Sequence, residues 1–249
     1  MRSSKSMWVT FVCLLLASLG WSQTGPDKVC EVNATTPKPG GAKAFEQGRI
    51  NHNKFHVAEK DKNPIIVWSV MTGPATGAYV TTVCGLTWKG LDGNDAMDKR
   101  DEADREKTMS GTVGANHASY YVYRADLSSG TEGGAPAKMM TVVHYFVKPS
   151  GLVQFQDAIK KINAAVKQTN YPAKPTRWYV LANGGEGPHY VAVTDRAGWG
   201  DMQGPEKSMT DMLKEAGDDK SLQALREAVD HTVSELLEYR ADLSYLPAK

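Results

Sequence analysis

The chain has 249 residues, and its 29 lysines and arginines nearly cancel 28 aspartates and glutamates, leaving a net charge of +1. That balance, with no dense Lys/Arg block, excludes a nucleic-acid partner bound through a basic face. No low-complexity tract or acidic tail is present, so the composition is that of one large domain or two small ones.

At the N-terminus Arg2 and Lys5 precede an apolar run from Met7 to Gly20, with small residues Gly20 and Ser22 before the polar Gln23. This pattern predicts a secretory signal peptide over residues 1–23 and a secreted or periplasmic protein. Cys13 lies inside the apolar run rather than at its end, which argues against lipid attachment at a cleavage site. No later stretch approaches the ~20 apolar residues of a membrane span, so no membrane contact is expected after cleavage. Cys30 and Cys84 remain in an oxidising setting where thiols tend to pair. Composition alone leaves a disulfide and two separate buried thiols both open.

Val29 to Asn33 reads as a strand, with Asn33-Ala34-Thr35 fitting a glycosylation acceptor at its end. A helix over Ala42–Lys60 follows, then a hairpin of Ile65–Thr72 and Ala78–Thr87. Ala96–Thr108 is dense in charge and predicts a solvated helix with a narrow packing stripe. Tyr120–Asp126 is the next strand, and a Gly/Pro-rich stretch then links to the second half. There, Met139–Val147 is a strand broken by Lys148-Pro149-Ser150-Gly151. Phe155, Ile159, Ile162 and Val166 recur at helical spacing. Thr176–Asn183, the turn Gly184–Gly187 and His189–Asp195 form a second hairpin. A short helix over Glu206–Ala216 precedes a longer one capped by Asp218 or Asp219, with Leu222, Leu225, Val229, Val233 and Leu236 as its stripe. Tyr239–Tyr245 closes the chain as a strand.

The hexapeptide Tyr123–Ser128 recurs as Tyr239–Ser244. Lys38-Pro39, Phe45 and Asn53 match Lys148-Pro149, Phe155 and Asn163 at an offset of 110. Pro64, Gly73, Tyr79 and Trp88 match Pro175, Gly184, Tyr190 and Trp199 at 111. An offset that drifts only at loops predicts a tandem duplication, with repeats at 24–130 and 139–249 joined by a linker at 131–138.

Each half then reads β-α-β-β-α-β, an α+β order that resembles the ferredoxin-like fold. Two such units packed sheet to sheet resemble the dimeric α/β barrel superfamily, here fused as an intrachain pseudo-dimer. Within it the chain is similar to the antibiotic-biosynthesis-monooxygenase-like and NIPSNAP-like families. The resemblance makes the first and third strands antiparallel neighbours and so implies a Cys30–Cys84 disulfide. It also implies a monomeric pseudo-dimer or a higher oligomer, and supplies no catalytic motif, so the catalytic residues stay unknown.

Strand alternation places Trp68, Val70 and Thr72, and likewise Tyr179, Leu181 and Asn183, on one face, with Ile65, Val67 and Ser69 toward the helices. A cavity lined by Trp68, Tyr79, Tyr179, Asn183 and Tyr190 is therefore expected, suited to a small apolar or aromatic ligand. The alternative is that these aromatics simply fill the interface. Arg124 and Arg240 would stand at the rim, as anion binders or, on the blander reading, as residues that fix strand ends. Trp88 and Trp199 read as packing under the following helices. His144 is a candidate general base, or a haem ligand by analogy with relatives in the superfamily, against an expectation of no cofactor. His52 and His56, spaced i, i+4, could face a metal, but no third ligand is evident, so a surface pair and no metal are expected. An exported small-molecule-binding protein is the leading expectation. A cofactor-independent monooxygenase-like enzyme and a ligand-free structural protein are the alternatives.

Overall fold

The structure, a computed structural model, describes residues 27–93 and 95–247. The expected signal peptide and Cys13 lie outside them. Its first half runs β1 (Val29–Pro37), α1 (Ala42–Glu59), β2 (Ile66–Thr72), β3 (Tyr79–Leu86), α2 (Asp95–Met109) and β4 (Val113–Tyr123). The second runs β5 (Met139–Val147), α3 (Leu152–Gln168), β6 (Thr176–Asn183), β7 (His189–Arg196), α4 (Met209–Glu215), α5 (Ser221–Ala228) and β8 (Val229–Tyr239). Both halves are mixed α+β with the same order of pairing, β4-β1-β3-β2 and β8-β5-β7-β6.

These two sheets join edge to edge through β2·β8 and β4·β6, closing an antiparallel eight-stranded barrel. Closure satisfies the backbone groups that two open sheets would leave at their edges. Side chains of alternate parity divide between an interior cluster, including Trp68, Val70, Tyr123, Tyr179 and Leu237, and two outer cores beneath the helices. Val67 faces the helix side and Trp68 the interior, as their alternation predicts.

Cys30 and Cys84 are direct Cα partners across β1·β3 and form a disulfide. The chain leaves α1 at Lys60, whose left-handed conformation (φ 54°) lets its N–H reach the carbonyls of His56 and Val57. Of the two expected caps before α5, Asp218 serves, its Oδ1 accepting from the backbone of Lys220 and Ser221.

Three strand boundaries differ from the sequence reading. β1 continues to Pro37, and β4 begins at Val113 through a polar, largely exposed run with little apolar alternation. At the C-terminus the expected long helix stops at Ala228, and Val229–Tyr239 is β8. Val229, Val233 and Leu236 are compatible with a helical stripe, but β8 is bonded on one side to β5 and on the other to β2. Two ladders outweigh the local preference.

The hexapeptides are consequently turns after β4 and β8 rather than strands, and each packs against the opposite half. Leu243 is fully buried among Phe45, Val67, Tyr79 and Met109, while Leu127 is fully buried among Phe155, Trp178 and Tyr190. Asn53 Nδ2 donates to the Leu243 carbonyl at 2.9 Å, and Asn163 Nδ2 to that of Leu127 at 2.7 Å. Repeated residues thus make matching contacts crosswise. Gly73 and Gly184, both at positive φ (96° and 90°), stand at the two seams. A Cβ on Gly73 would approach the Ser234 carbonyl of β8, and one on Gly184 would collide with the Ala118 carbonyl of β4. Glycine is required where the seam strands approach this closely.

Candidate functional site: the barrel interior

Inside the barrel lies a cavity of about 420 Å³ to which all eight strands contribute. Its wall is mostly apolar: Val32, Ile66, Trp68, Val80, Met140, Val142, Val191 and Leu237, together with the Cys30–Cys84 disulfide. The inward residues recur at every second position, as a closed pleated sheet requires. Residues 132–137 of the inter-half connection also line it.

Polar residues interrupt this wall: Thr82, His117 and Ser119 singly, and two groups of charged or titratable side chains. His144 on β5 has Nδ1 3.0 Å from His189 Nε2 and Nε2 3.7 Å from Glu235 Oε2 on the neighbouring β8. His189 stacks on Phe146 and meets the edge of Tyr121, and burial, followed by the nearby His144, pulls its pKa down to about 4. A neutral His189 leaves one ring of the pair donating and the other accepting. The second group is Arg177 on β6, which holds Asp195 of β7 through two hydrogen bonds of 2.7 and 2.6 Å. Beside it Glu132 has its carboxyl pushed up by burial, against the opposing charges of Lys28 and Arg177. Its Oε1 is buried and accepts no hydrogen bond. Burial also raises the Tyr179 hydroxyl well above its ordinary value, and that of Tyr121 to about 12. The cavity therefore offers an imidazole pair in one wall, a carboxyl that burial shifts toward its neutral form in another, and apolar surface between them.

Of the residues the sequence singles out, Trp68, Tyr179 and His144 line this cavity. Tyr79 and Tyr190 do not. Both lie in the outer cores, where the Tyr79 hydroxyl donates to Glu46 at 2.6 Å and Gln156 donates to the Tyr190 hydroxyl at 2.7 Å. Asn183, at the end of β6, is exposed outside the cavity. Arg124 and Arg240 are also remote from the interior: each forks onto the aspartate two residues on, Asp126 or Asp242. Arg124 reaches Gln156 as well, and Arg240 reaches Glu46, so each arginine ties its turn to the opposite half's first helix. Trp88 and Trp199 are 40% and 62% exposed instead of packing under helices, because short 3₁₀ turns carry them outward.

His52 and His56 are not a surface pair. They are 1% and 5% exposed, between α1 and α2 and outside the barrel. Sequence reading also missed Arg177, although it shares the inward parity of Tyr179 two residues on. Glu132 carries no such signal, since it belongs to a glycine-rich connection without periodicity.

Of the His144 nitrogens that could hold a haem, Nδ1 is taken up with His189 while Nε2, 3.7 Å from Glu235 Oε2, makes no hydrogen bond among the described residues.

The β-α-β-β-α-β order of each half and the closure of both into one barrel give the chain the fold of the dimeric α/β barrels. Solved structures share this fold at low sequence identity. A candidate monooxygenase from Lactobacillus acidophilus NCFM is 9% identical with a TM-score of 0.52, over 89% of this chain and 97% of that one. A candidate monooxygenase from Fusobacterium nucleatum is 7% identical with a TM-score of 0.56, over 86% and 93%. An anthrone oxidase-like protein is 12% identical with a TM-score of 0.51, over 87% and 92%. No protein-family model matches the chain, and no curated protein does.

Proposed function

We propose that the barrel interior binds a small, largely apolar or aromatic molecule carrying one or two polar groups, and that the protein is exported. The observation that carries this is the cavity of about 420 Å³, within the range of small-molecule sites and mostly apolar, with the His144/Glu235 and Glu132/Arg177 groups as its main charged features. Export is supported by the signal-like N-terminus and the Cys30–Cys84 disulfide. The crosswise contacts of the repeated residues support reading 24–130 and 139–249 as two fused copies of one unit.

Native mass spectrometry of protein from its own host, with a denatured control, is the test. A bound mass lost on denaturation, and absent from Val142→Phe protein, is the expected result. A cavity that takes up no aromatic probe, read by quenching of Trp68 fluorescence, would sink the reading.

A second reading, cofactor-independent oxygenation in the same cavity, is favoured by the proton-accepting His144 beside Glu235. The monooxygenase candidates and the anthrone oxidase-like protein share its fold. His144 would take a proton from a phenolic or activated methylene substrate, and the resulting anion would react with O₂. For a methylene, one oxygen atom becomes the carbonyl and the other leaves as water. Oxygen uptake with anthrone-type and quinol substrates tests this, with His144→Phe and Glu235→Gln expected to lower the rate at least tenfold. No uptake across the panel removes this reading and leaves the binding reading standing.

A further inference from the structure

The helix layer of the first half contains a buried polar cluster that the barrel interior does not use. His52 and His56 of α1 face Asp101 of α2, with Asp101 Oδ1 3.4 Å from His52 Nε2 and 3.5 Å from His56 Nε2. The other nitrogen of each ring is committed. His52 Nδ1 lies 2.8 Å from Asp104 Oδ2, and His56 Nδ1 lies 3.2 Å from Asp61 Oδ2. A carboxylate only accepts, so both Nδ1 atoms carry the hydrogen, and a neutral imidazole then keeps its lone pair on Nε2. Two lone pairs and a carboxylate oxygen therefore converge on one point. Asp101 Oδ1 is buried and accepts no hydrogen bond. A proton on one Nε2 would relieve one of these contacts and leave the other opposed.

We propose that His52, His56 and Asp101 bind a divalent cation of the zinc type, clamping α2 to α1. Ligands 2.0–2.2 Å from a tetrahedral zinc lie about 3.4 Å apart, the spacing observed from Asp101 Oδ1 to each ring nitrogen. Two histidines, a carboxylate and water complete four positions, and the partial exposure of Asp101 lets water reach the last. Asp104 and Asp61 orient the two rings as outer-shell carboxylates do in metal centres. Charge also permits it: three carboxylates (Asp61, Asp101, Asp104) surround the point, against the guanidinium groups of Arg49 and Arg105 that act on Asp101 or its neighbours.

The fold supplies an independent reason. At an offset of 110, His52 and His56 correspond to Ile162 and Val166 of α3. Those residues pack with Ala165 against Met212 and Leu213 of α4. Among the described residues of α2, which is charged along most of its length, Met109 near its end is the one buried apolar side chain, packed with Phe45 and Ile50 rather than facing His52 and His56 with an apolar surface. A metal would supply the cross-link that hydrophobic packing supplies in the second half.

The test is zinc titration of the purified protein after chelator treatment, with metal counted by mass spectrometry and Co²⁺ substitution read by visible absorption. Expected are one zinc per chain, the visible bands of four-coordinate Co²⁺, and slower amide exchange in residues 95–109 when zinc is bound. His56→Gln should abolish stoichiometric binding. Asp101→Asn, nearly isosteric and at a partly exposed position, should weaken it at least tenfold without unfolding the protein. Asp104→Asn, which removes a positioning group, should weaken it about 10–100-fold while keeping the Co²⁺ spectrum. Absence of stoichiometric zinc from the wild-type protein, or equal binding by Asp101→Asn, overturns the proposal.

Discussion

His189 shows how a single side chain's surroundings set a measurable property. Burial depresses its folded pKa to about 4, below the ~6.5 of an unfolded histidine, so the unfolded chain binds the extra proton first. The stability it contributes is complete above pH ~6.5 and is lost as pH falls through about 4. Chemical denaturation midpoints should decline over that window, and the decline should shrink in His189→Gln; an unchanged slope would refute the assignment. Asp126 behaves similarly at lower pH. Hydrogen bonds from Arg124 hold its carboxyl down at about 2, so its contribution persists above pH ~4 and fades toward pH 2. Leu127 and Leu243 sit in matched places, each fully buried, so either leucine-to-alanine change should cost about 2–5 kcal/mol in equilibrium unfolding. Equal losses would accord with the shared environment, and a loss below about 1 kcal/mol at either site would contradict it.

At the scale of elements, the seams and the β1·β3 pair carry the argument. Gly184 combines positive φ with a backbone approach that excludes a Cβ, and its carbonyl accepts from Ser119 Oγ at 2.6 Å across the β4·β6 seam. Gly184→Ala should lower stability by about 1–3 kcal/mol or more, with amide protection in Tyr120–Tyr123 the first to fall. The disulfide spans a sequence separation of 54, for which chain entropy gives roughly 4 kcal/mol as an upper figure. A Cys30→Ser/Cys84→Ser double variant should therefore melt several degrees lower while keeping its β-rich circular dichroism. Much of this level is legible in the sequence: the hairpins at 66–86 and 176–196, α1, α3 and the glycines of the repeat all follow from periodicity and turn chemistry. β8 is not, because Val229, Val233 and Leu236 satisfy a helical spacing while the bonds that make them a strand come from residues about 90 and 160 positions away.

Across the whole molecule, the two halves are interlocked. Each hexapeptide leaves one half's last strand and fills the helix–sheet core of the other, so neither 27–130 nor 139–247 is a complete unit without its partner half. Expressed alone, either half would expose the two seam strands and lack one buried leucine; aggregation or dimerisation is the expected outcome, measured by light scattering. A compact, stable monomer of one half would contradict it. The candidate site was legible only in part. Alternation selected Trp68 and Tyr179, which face the cavity, but Tyr79 and Tyr190 share their matched repeat positions and point outward, since their parity is set by a register that only the ladder defines.

What this sequence determines by itself is most of the units, strands and helices from periodicity with β8 excepted, and the repeated residues of the two halves; the Cys30–Cys84 pairing follows only with the resemblance that makes the first and third strands neighbours. Tertiary structure alone decides which faces close into a cavity, that Glu132 and Arg177 come to share it, and that His52 and His56 meet Asp101 49 and 45 residues later in the chain. The physical reason is range. Local backbone preference acts over a few residues, whereas barrel closure and the burial of charged groups are settled by contacts between segments far apart in sequence.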